Sequence, residues 1–274
     1  MRLLKFYIIL ILPLLAGSCG EYGKILKSTD NELKKNKALE YYAAGQYVKA
    51  SELLGQILPR FRATAEAEEL YWINAESNYM MRQYELAGSY YRNLVEEYPY
   101  GKHAEEATFK AAKCDYAISP KPELDQLNTK KAIEGFNIFI RKYPSSPFAE
   151  ESKILAKELE ERLVEKSYMS ARLYYDMKKY KAAITALENS LKEYSESKYR
   201  EEMMFLKLNS TYLYAVNSFA NRQRERFQAT LDDYYSFVDE FPQTKYEREI
   251  RRIYEDTAGQ LGVDINATTE NITQ

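Results

Sequence analysis

A tyrosine recurs at a nearly constant interval along this chain, and this spacing limits the fold more than any other feature. Three of the four intervals are 37 residues long, from 42 to 79, from 79 to 116 and from 175 to 212. An internal period of about 20–50 residues is typical of proteins built from stacked structural repeats. We therefore expect five repeats, marked by Tyr42, Tyr79, Tyr116, Tyr175 and Tyr212.

Each repeat is predicted to be a pair of helices. In four of the five repeats an alanine stands four residues before the marker tyrosine, as Ala75 does before Tyr79, so both lie on one helix face; the fifth has Leu208 there. A second apolar segment follows, and in most repeats it ends at an aromatic residue and a proline, which cannot continue a helix. Glycine and proline are sparse, at 10 and 8 residues, which argues against turn-rich β folds. The predicted fold class is all-α.

The pattern resembles the tetratricopeptide repeat, whose Gly-x-Tyr-x-x-Ala motif and closing proline are matched at Gly45, Tyr47, Ala50 and Pro99. The resemblance implies a superhelical array of five tetratricopeptide-like helix pairs over residues 30–261, each pair contacting its neighbours. The pairs are expected near residues 30–59, 67–99, 104–144, 148–195 and 200–242, followed by a closing helix.

Four local features refine this arrangement. An insertion over residues 120–128 should lengthen the turn of the third repeat, and the fourth repeat should begin with one long helix over about residues 146–178. The fifth repeat is expected to contain a long turn over residues 214–226. Thr29 and Glu32 have the spacing of a capping box at the start of the first repeat.

The N-terminus has the features of a secretory signal peptide. Arg2 and Lys5 precede an apolar run over residues 6–15. This run is about half as long as the roughly twenty residues that a membrane-spanning helix needs. The segment that follows, Leu15-Ala16-Gly17-Ser18-Cys19, resembles the bacterial lipobox, in which the cysteine is acylated and becomes the first residue of the mature protein.

We therefore predict a lipoprotein signal peptide over residues 1–18, lipid attachment at Cys19, a lipidated tether over residues 19–29 and a disordered tail over residues 262–274. An ordinary signal peptide with a chance cysteine is the alternative. Gly20 stands where Asp would favour retention in the inner membrane, so by the same resemblance we expect an outer-membrane protein facing the periplasm.

The sequence contains no catalytic or metal-binding set. His103, the single histidine, is placed in an inter-repeat turn and is expected to be solvated, and Cys114 should be a buried, unreactive thiol. Neither a Cys/His cluster for zinc nor a Gly-rich phosphate loop is present. Without Arg2 and Lys5, 37 basic residues face 41 acidic ones, so there is no basic excess for nucleic acid. We expect no enzymatic activity, cofactor, metal or nucleic-acid partner.

The aromatic residues of the first helices are the remaining candidates for a site. In repeats of this kind the first helices line a groove that binds peptides, and aromatic residues with a polar tip suit such interfaces. Packing between helices is the alternative for each ring. The candidates for the peptide groove are Tyr42, Trp72, Tyr79, Phe109 and Tyr116.

Three segments carry a closer resemblance. The second repeat ends with EEYPYG at residues 96–101, the third ends with FIRKYPSSP at residues 139–147, and RLYYDMKKYKAA follows at residues 172–183. With the lipobox and the five repeats, they make the chain resemble the BamD family of outer-membrane lipoproteins over about residues 30–261. Ser195 departs from the pattern, because a proline would be expected there.

This resemblance implies a non-enzymatic scaffold of the β-barrel assembly machinery. It would hold a BamA-type Omp85 barrel protein through its C-terminal half, with Arg200 as the candidate interface residue, and would help to deliver unfolded outer-membrane protein peptides. Two other classes of protein remain open. One is a different repeat-containing lipoprotein, such as a secretin pilot or a cell-wall-synthesis coordinator. The other is a SusD-related nutrient-binding lipoprotein, although that family needs a much longer chain than these 274 residues.

Overall fold

The computed structural model describes residues 20–62 and 64–263. The predicted signal peptide, Cys19 and the tail from residue 264 onward lie outside these ranges. Within them the chain is helical: α1 occupies residues 20–27. The other helices are α2 (Asn31–Ala43), α3 (Tyr47–Phe61), α4 (Ala67–Met80), α5 (Tyr84–Glu97), α6 (Ala104–Ala117), α7 (Leu127–Lys142), α8 (Ala149–Asp176), α9 (Tyr180–Glu193), α10 (Arg200–Val216), α11 (Ala220–Glu240) and α12 (Glu247–Leu261).

The all-α prediction is confirmed, and α2 to α11 form five helix pairs in the described part of the chain. Helices that follow one another pack together from α2 to α7 and from α9 to α12. Small residues allow this close approach, since Ala75 of α4 and Ala87 of α5 are fully buried, as is Ala183 of α9. None of the described helices combines the length and apolarity that crossing a bilayer requires.

In three of the five repeats, the turn between the two helices is built around one residue with a left-handed backbone. Gly45 has φ of 71° between α2 and α3, as glycine readily does. Arg82 and Lys178 occupy the same place before α5 and α9, with φ of 59° and 57°. The glycine of the Gly-x-Tyr motif is therefore explained by backbone geometry, and two other repeats adopt that geometry with a side chain present.

The second helix of each later repeat ends in one repeated backbone geometry. Tyr98, Tyr143, Tyr194 and Phe241 all cap a helix with φ between −126° and −131° and ψ between 63° and 69°. Three of these residues precede a proline, but Tyr194 precedes Ser195. The absence of a proline at Ser195 therefore does not alter the end of α9.

The chain divides into two compact units. Among the described residues, the first unit contains those from Gly20 to Pro120 together with Asp125–Leu159, and the second contains Lys121–Leu124 and those from Glu160 to Val263. The first unit has a core that includes Leu53, Trp72 and Tyr91. The second is centred on clusters that include Leu187 and Phe237.

The irregular segments agree in part with expectation. The turn of the third repeat is indeed long, from residue 118 to residue 126, and the long helix is present as the 28 residues of α8. The predicted long turn of the fifth repeat is wrong, because only residues 217–219 separate α10 from α11. The polar residues that follow, such as Arg222, lie in the first turns of α11 and cover its exposed face.

The predicted capping box is also wrong. Asp30 is the N-cap of α2, and its side chain accepts a hydrogen bond of 2.9 Å from the amide of Leu33. Glu32 instead pairs with Lys35 at 2.7 Å. A carboxylate at the N-cap satisfies an amide of the first turn directly, so Thr29 is not needed for this purpose.

The predicted tether does not describe residues 20–27, which are helical. Ile25 of α1 is only 5% exposed and belongs to the core of the first unit. Tyr22 and Leu26 pack against the same core. The spacing of these three residues gives α1 one apolar face, which is buried on the first repeat.

Candidate functional site

Two of the five aromatic groove candidates are core residues. Trp72 of α4 is 9% exposed and Phe109 of α6 is 3% exposed. Each ring is covered by a second ring from the start of the next repeat: His103 stacks on Trp72 at 4.4 Å between centroids, and Phe148 stacks on Phe109 at 4.7 Å. In this conformation both rings serve packing between repeats and offer little surface to a peptide.

This stack is a recurring joint between repeats. Its lower member stands seven residues before the marker tyrosine, and its upper member immediately precedes the next first helix. In the first repeat an ion pair of 2.6 Å between Lys35 and Glu66 takes the place of the two rings. The aromatic joints are Trp72–His103, Phe109–Phe148, Tyr168–Tyr199 and Phe205–Tyr246, with centroid distances from 3.9 to 4.7 Å.

The expectation that His103 is a solvated turn residue is therefore wrong. Its ring lies parallel to that of Trp72, and its Nε2 is 3.0 Å from Oε2 of Glu69. The hydrogen bond from His103, and then the one from Lys102, lowers the pKa of the Glu69 carboxyl. The sequence shows an aromatic residue before four of the acidic helix starts, those of α6, α8, α10 and α12, which is the signal that could have revealed the joint.

The three tyrosine candidates are half-buried on the first helices of the first unit. The hydroxyl of Tyr116 donates to the carboxylate of Glu158, at 2.8 Å and 2.9 Å from its two oxygens. Tyr42 and Tyr79 instead make edge contacts with the rings of Tyr47 and Tyr84 across the turn of their own repeats. No hydrogen bond joins the Tyr42 or Tyr79 hydroxyl to another described residue, and burial raises the pKa of both.

The charges beside Tyr79 are already paired. Glu76 is buried one turn earlier on α4, where it accepts hydrogen bonds from the Tyr91 hydroxyl and from Lys110 Nζ, the latter at 2.5 Å. Lys110 Nζ also lies 4.9 Å from the centroid of Trp72 and 5.6 Å from that of Tyr79. The charges therefore stabilise the contact between α4 and α6, and no hydrogen-bond acceptor is assigned to the hydroxyls of Tyr42 and Tyr79.

Arg200, the candidate for the partner interface, is the first residue of α10 in the second unit. Its guanidinium donates two hydrogen bonds to the carboxylate of Glu240, one of them from Nη2 at 2.9 Å. A third, long contact of 3.4 Å reaches the carbonyl oxygen of Leu191. Arg200 therefore ties α10 to the ends of α9 and α11, and it is only partly exposed.

An open cleft of about 1060 Å³ lies elsewhere in the second unit. Lys178, Lys179 and Lys181 stand at its edge, and no ion pair joins them to another described residue. Tyr174, Tyr180 and Tyr214 contribute aromatic surface. Large apolar side chains are exposed close in sequence to lining residues of the cleft, namely Leu173, Met177, Val216 and Phe219, the last of which is 86% exposed.

The described residues hold no group of three or more His, Cys, Asp or Glu side chains able to bind a metal. Cys114 is fully buried in α6, as expected, and burial raises the pKa of its thiol to about 12. A thiol in that environment is a poor nucleophile, because the thiolate is the reactive form.

Comparison with known protein families identifies the family to which this chain belongs. The model of a family described as "YfiO: Outer membrane lipoprotein" matches residues 28–224, which include α2 to α10 and the start of α11. The chain belongs to this family. YfiO and BamD denote one family, so the resemblance seen in the sequence is confirmed at the family level.

The YfiO match leaves most of α11 and all of α12 outside its range. Among solved structures, the chain is similar to one titled "TPR2AB-domain:pHSP90-complex of yeast Sti1". The sequence identity is 14%, the alignment covers 83% of this chain and 98% of the other, and the TM-score is 0.38. Comparison with curated proteins gives no match.

Proposed function

We propose that this chain is a non-enzymatic scaffold of the outer-membrane β-barrel assembly machinery, anchored by lipid at Cys19 and facing the periplasm. The family match over residues 28–224 carries the proposal. The lipobox before Gly20 supports it independently, because a family of outer membrane lipoproteins requires an acylated cysteine at such a place.

The anchor is tested by replacing the acylated residue. Cys19→Ala should abolish labelling with radioactive palmitate and leave the protein uncleaved or soluble in the periplasm. Cys114→Ala is the matched control, because it removes the other cysteine and should leave labelling intact. Palmitate incorporation and outer-membrane fractionation of the Cys19→Ala protein would contradict the anchor.

We propose that the second unit docks a BamA-type Omp85 barrel protein. Contiguous exposed apolar patches mark interaction sites, and exposed Met177 and Phe219 are close in sequence to Lys178 and Asn217, which line the lysine-edged cleft. The lysines would add specificity for an acidic partner surface. Arg200 remains a candidate contact, although its guanidinium is held by Glu240.

Co-purification from solubilised membranes tests this docking surface. Met177→Ser with Phe219→Ser should reduce recovery of the barrel protein while leaving the circular dichroism spectrum and the lipid anchor unchanged. Leu127→Ser, which alters a similarly exposed apolar residue of the first unit, is the control. Equal recovery from both variants would place the partner elsewhere. Recovery of a secretin or a cell-wall synthase would favour a different adaptor role.

We propose that the first unit receives unfolded outer-membrane protein peptides at Tyr42 and Tyr79. Their hydroxyls are free to donate to peptide carbonyl groups, which are obligatory acceptors in an unfolded chain. Trp72 and Phe109 would support this surface from below, and Tyr116 would border it.

Removing the hydroxyls of Tyr42 and Tyr79 tests peptide binding without disturbing the packing of their rings. Tyr42→Phe with Tyr79→Phe keeps both rings and should weaken crosslinking to an outer-membrane protein peptide without lowering the melting temperature. Tyr116→Phe is the matched control, since its hydroxyl is already bound to Glu158. Unchanged crosslinking in the double variant would remove these hydroxyls from the peptide site.

A further inference from the structure

The helix α1 is fixed to the first repeat by contacts along its length. The Tyr22 hydroxyl donates to the Glu52 carboxylate of α3, and the Tyr22 ring meets the Tyr41 ring of α2 at 5.7 Å. Lys49 Nζ lies over both rings, 5.5 Å and 5.1 Å from their centroids. These contacts place the beginning of α1 beside the end of α2 and the first turns of α3, where the turn of the first repeat lies.

Such a short helix depends on this docking. Isolated helices of fewer than about 12–15 residues are marginal in water, and α1 has only the residues 20–27 described here. Buried Ile25 and half-buried Leu26 hold its other end on the same core. The helix and the first repeat therefore form one body.

A single peptide unit connects Cys19, the proposed site of lipid attachment, to this body. Gly20, the first described residue of α1, directly follows Cys19. Consecutive Cα atoms are about 3.8 Å apart, so no slack separates an acylated Cys19 from the folded unit. A long flexible tether would allow the unit to turn freely above the bilayer, but this connection restricts it.

We infer that α1 is a rigid mount that holds the turn of the first repeat and the start of α3, residues 44–48, against the phospholipid headgroups. This inference rests on the proposed lipid attachment at Cys19. Val48 is the second residue of α3 and is 65% exposed, so an apolar side chain already faces outward at the end that would meet the membrane. The surface assigned here fits a lipid bilayer, and it adjoins the proposed peptide surface at Tyr42, whose ring contacts that of Tyr47.

A site-specific probe tests the mount in the full lipidated protein. Val48→Cys can be labelled with a fluorophore at neutral pH, because Cys114 is buried and Cys19 would be blocked by its lipid. The labelled protein is bound to phosphatidylethanolamine and phosphatidylglycerol vesicles that carry a headgroup-linked quencher. Ile138→Cys, an exposed site on α7, is the control. Quenching at residue 48 should exceed quenching at residue 138 severalfold.

A second variant makes the rigidity itself measurable. A Gly/Ser insert of about twelve residues between Gly20 and Glu21 keeps the lipobox and adds a span of about 20 Å. Quenching at residue 48 should then fall to the level of residue 138. Equal quenching at the two sites, or quenching unaffected by the insert, would overturn the mount alone. Failure of the unmodified protein to bind vesicles would overturn the lipid anchor and, with it, the mount.

Discussion

His103 lies flat on Trp72, with an interplanar angle of 6°, and joins the start of α6 to the middle of α4. His103→Ala should lower the free energy of unfolding by about 2 kcal/mol, because it removes an aromatic stack and the hydrogen bond to Glu69. His103→Phe should cost much less, since Phe148 forms the equivalent stack on Phe109. Urea unfolding checks both variants. Equal losses would mean that the hydrogen bond, and not the stack, stabilises the joint.

Ser195 follows a helix end whose geometry matches those that precede prolines. Ser195→Pro should raise the free energy of unfolding by about 0.4–1 kcal/mol, because it restricts the unfolded chain at a position that already suits proline. Lys192→Pro is the contrasting control, since it lies inside α9 and should be strongly destabilising. Thermal unfolding monitored by circular dichroism provides the measurement. A loss of stability in Ser195→Pro would show that the residue-195 amide has a partner.

Variants of Arg200 and Glu240 can distinguish a structural role of Arg200 from a role in partner binding. Arg200→Glu would bring two carboxylates together, so the fold itself would suffer, and Arg200→Ala is the better probe. Loss of this partly exposed pair should cost about 1 kcal/mol or less. If Arg200 also contacts the barrel protein, Arg200→Ala should reduce co-purification and Glu240→Gln should not. Equal reductions would assign Arg200 a purely structural role.

The same pair predicts a pH dependence. The hydrogen bonds from Arg200 lower the pKa of the Glu240 carboxyl. A depressed native pKa adds stability above the unfolded value, about 4.3, and this stability is lost as the pH falls through the native value. Arg200→Ala should therefore reduce the loss of stability below that pH, as measured by urea unfolding at pH 6 and at lower pH.

The buried thiol of Cys114 should make the free energy of unfolding depend on pH above pH 8. Burial raises the pKa of its thiol to about 12, whereas an unfolded thiol titrates near 8.5. The unfolded state then loses its proton first, so the free energy of unfolding should fall by about 2 kcal/mol between pH 8 and pH 10 from this group. Cys114→Ala should show a correspondingly smaller difference between the two values of pH. Identical pH dependence in both proteins would show that the native thiol is accessible to base.

The repeat spacing predicted the fold well because it reports packing that every repeat shares. Ala75 and Ala87, for example, occupy matching sites where two helices approach closely, and both are fully buried. Helix ends marked by proline were equally predictable, because proline removes a backbone donor.

The joints and the docked α1 were missed because they depend on contacts distant in the sequence. His103 follows Trp72 by 31 residues, and Phe148 follows Phe109 by 39. The repeat periodicity places His103 and Phe148 in turns, and no local sequence pattern indicates that a turn residue will stack on a ring of the preceding repeat. Tyr22, Ile25 and Leu26 have helical spacing, but a run so short indicates a helix only when a surface is available to bury it.

The chain contains one tryptophan and one histidine, and the two lie against each other in the joint between α4 and α6. Its indole emission is therefore an intrinsic, label-free signal from a single location in the first unit. The His103 ring covers this indole, so the emission of Trp72 reports whether the two rings remain stacked. Opening of this joint by a bound peptide would change the same signal, which gives the molecule a built-in optical reporter beside Tyr79.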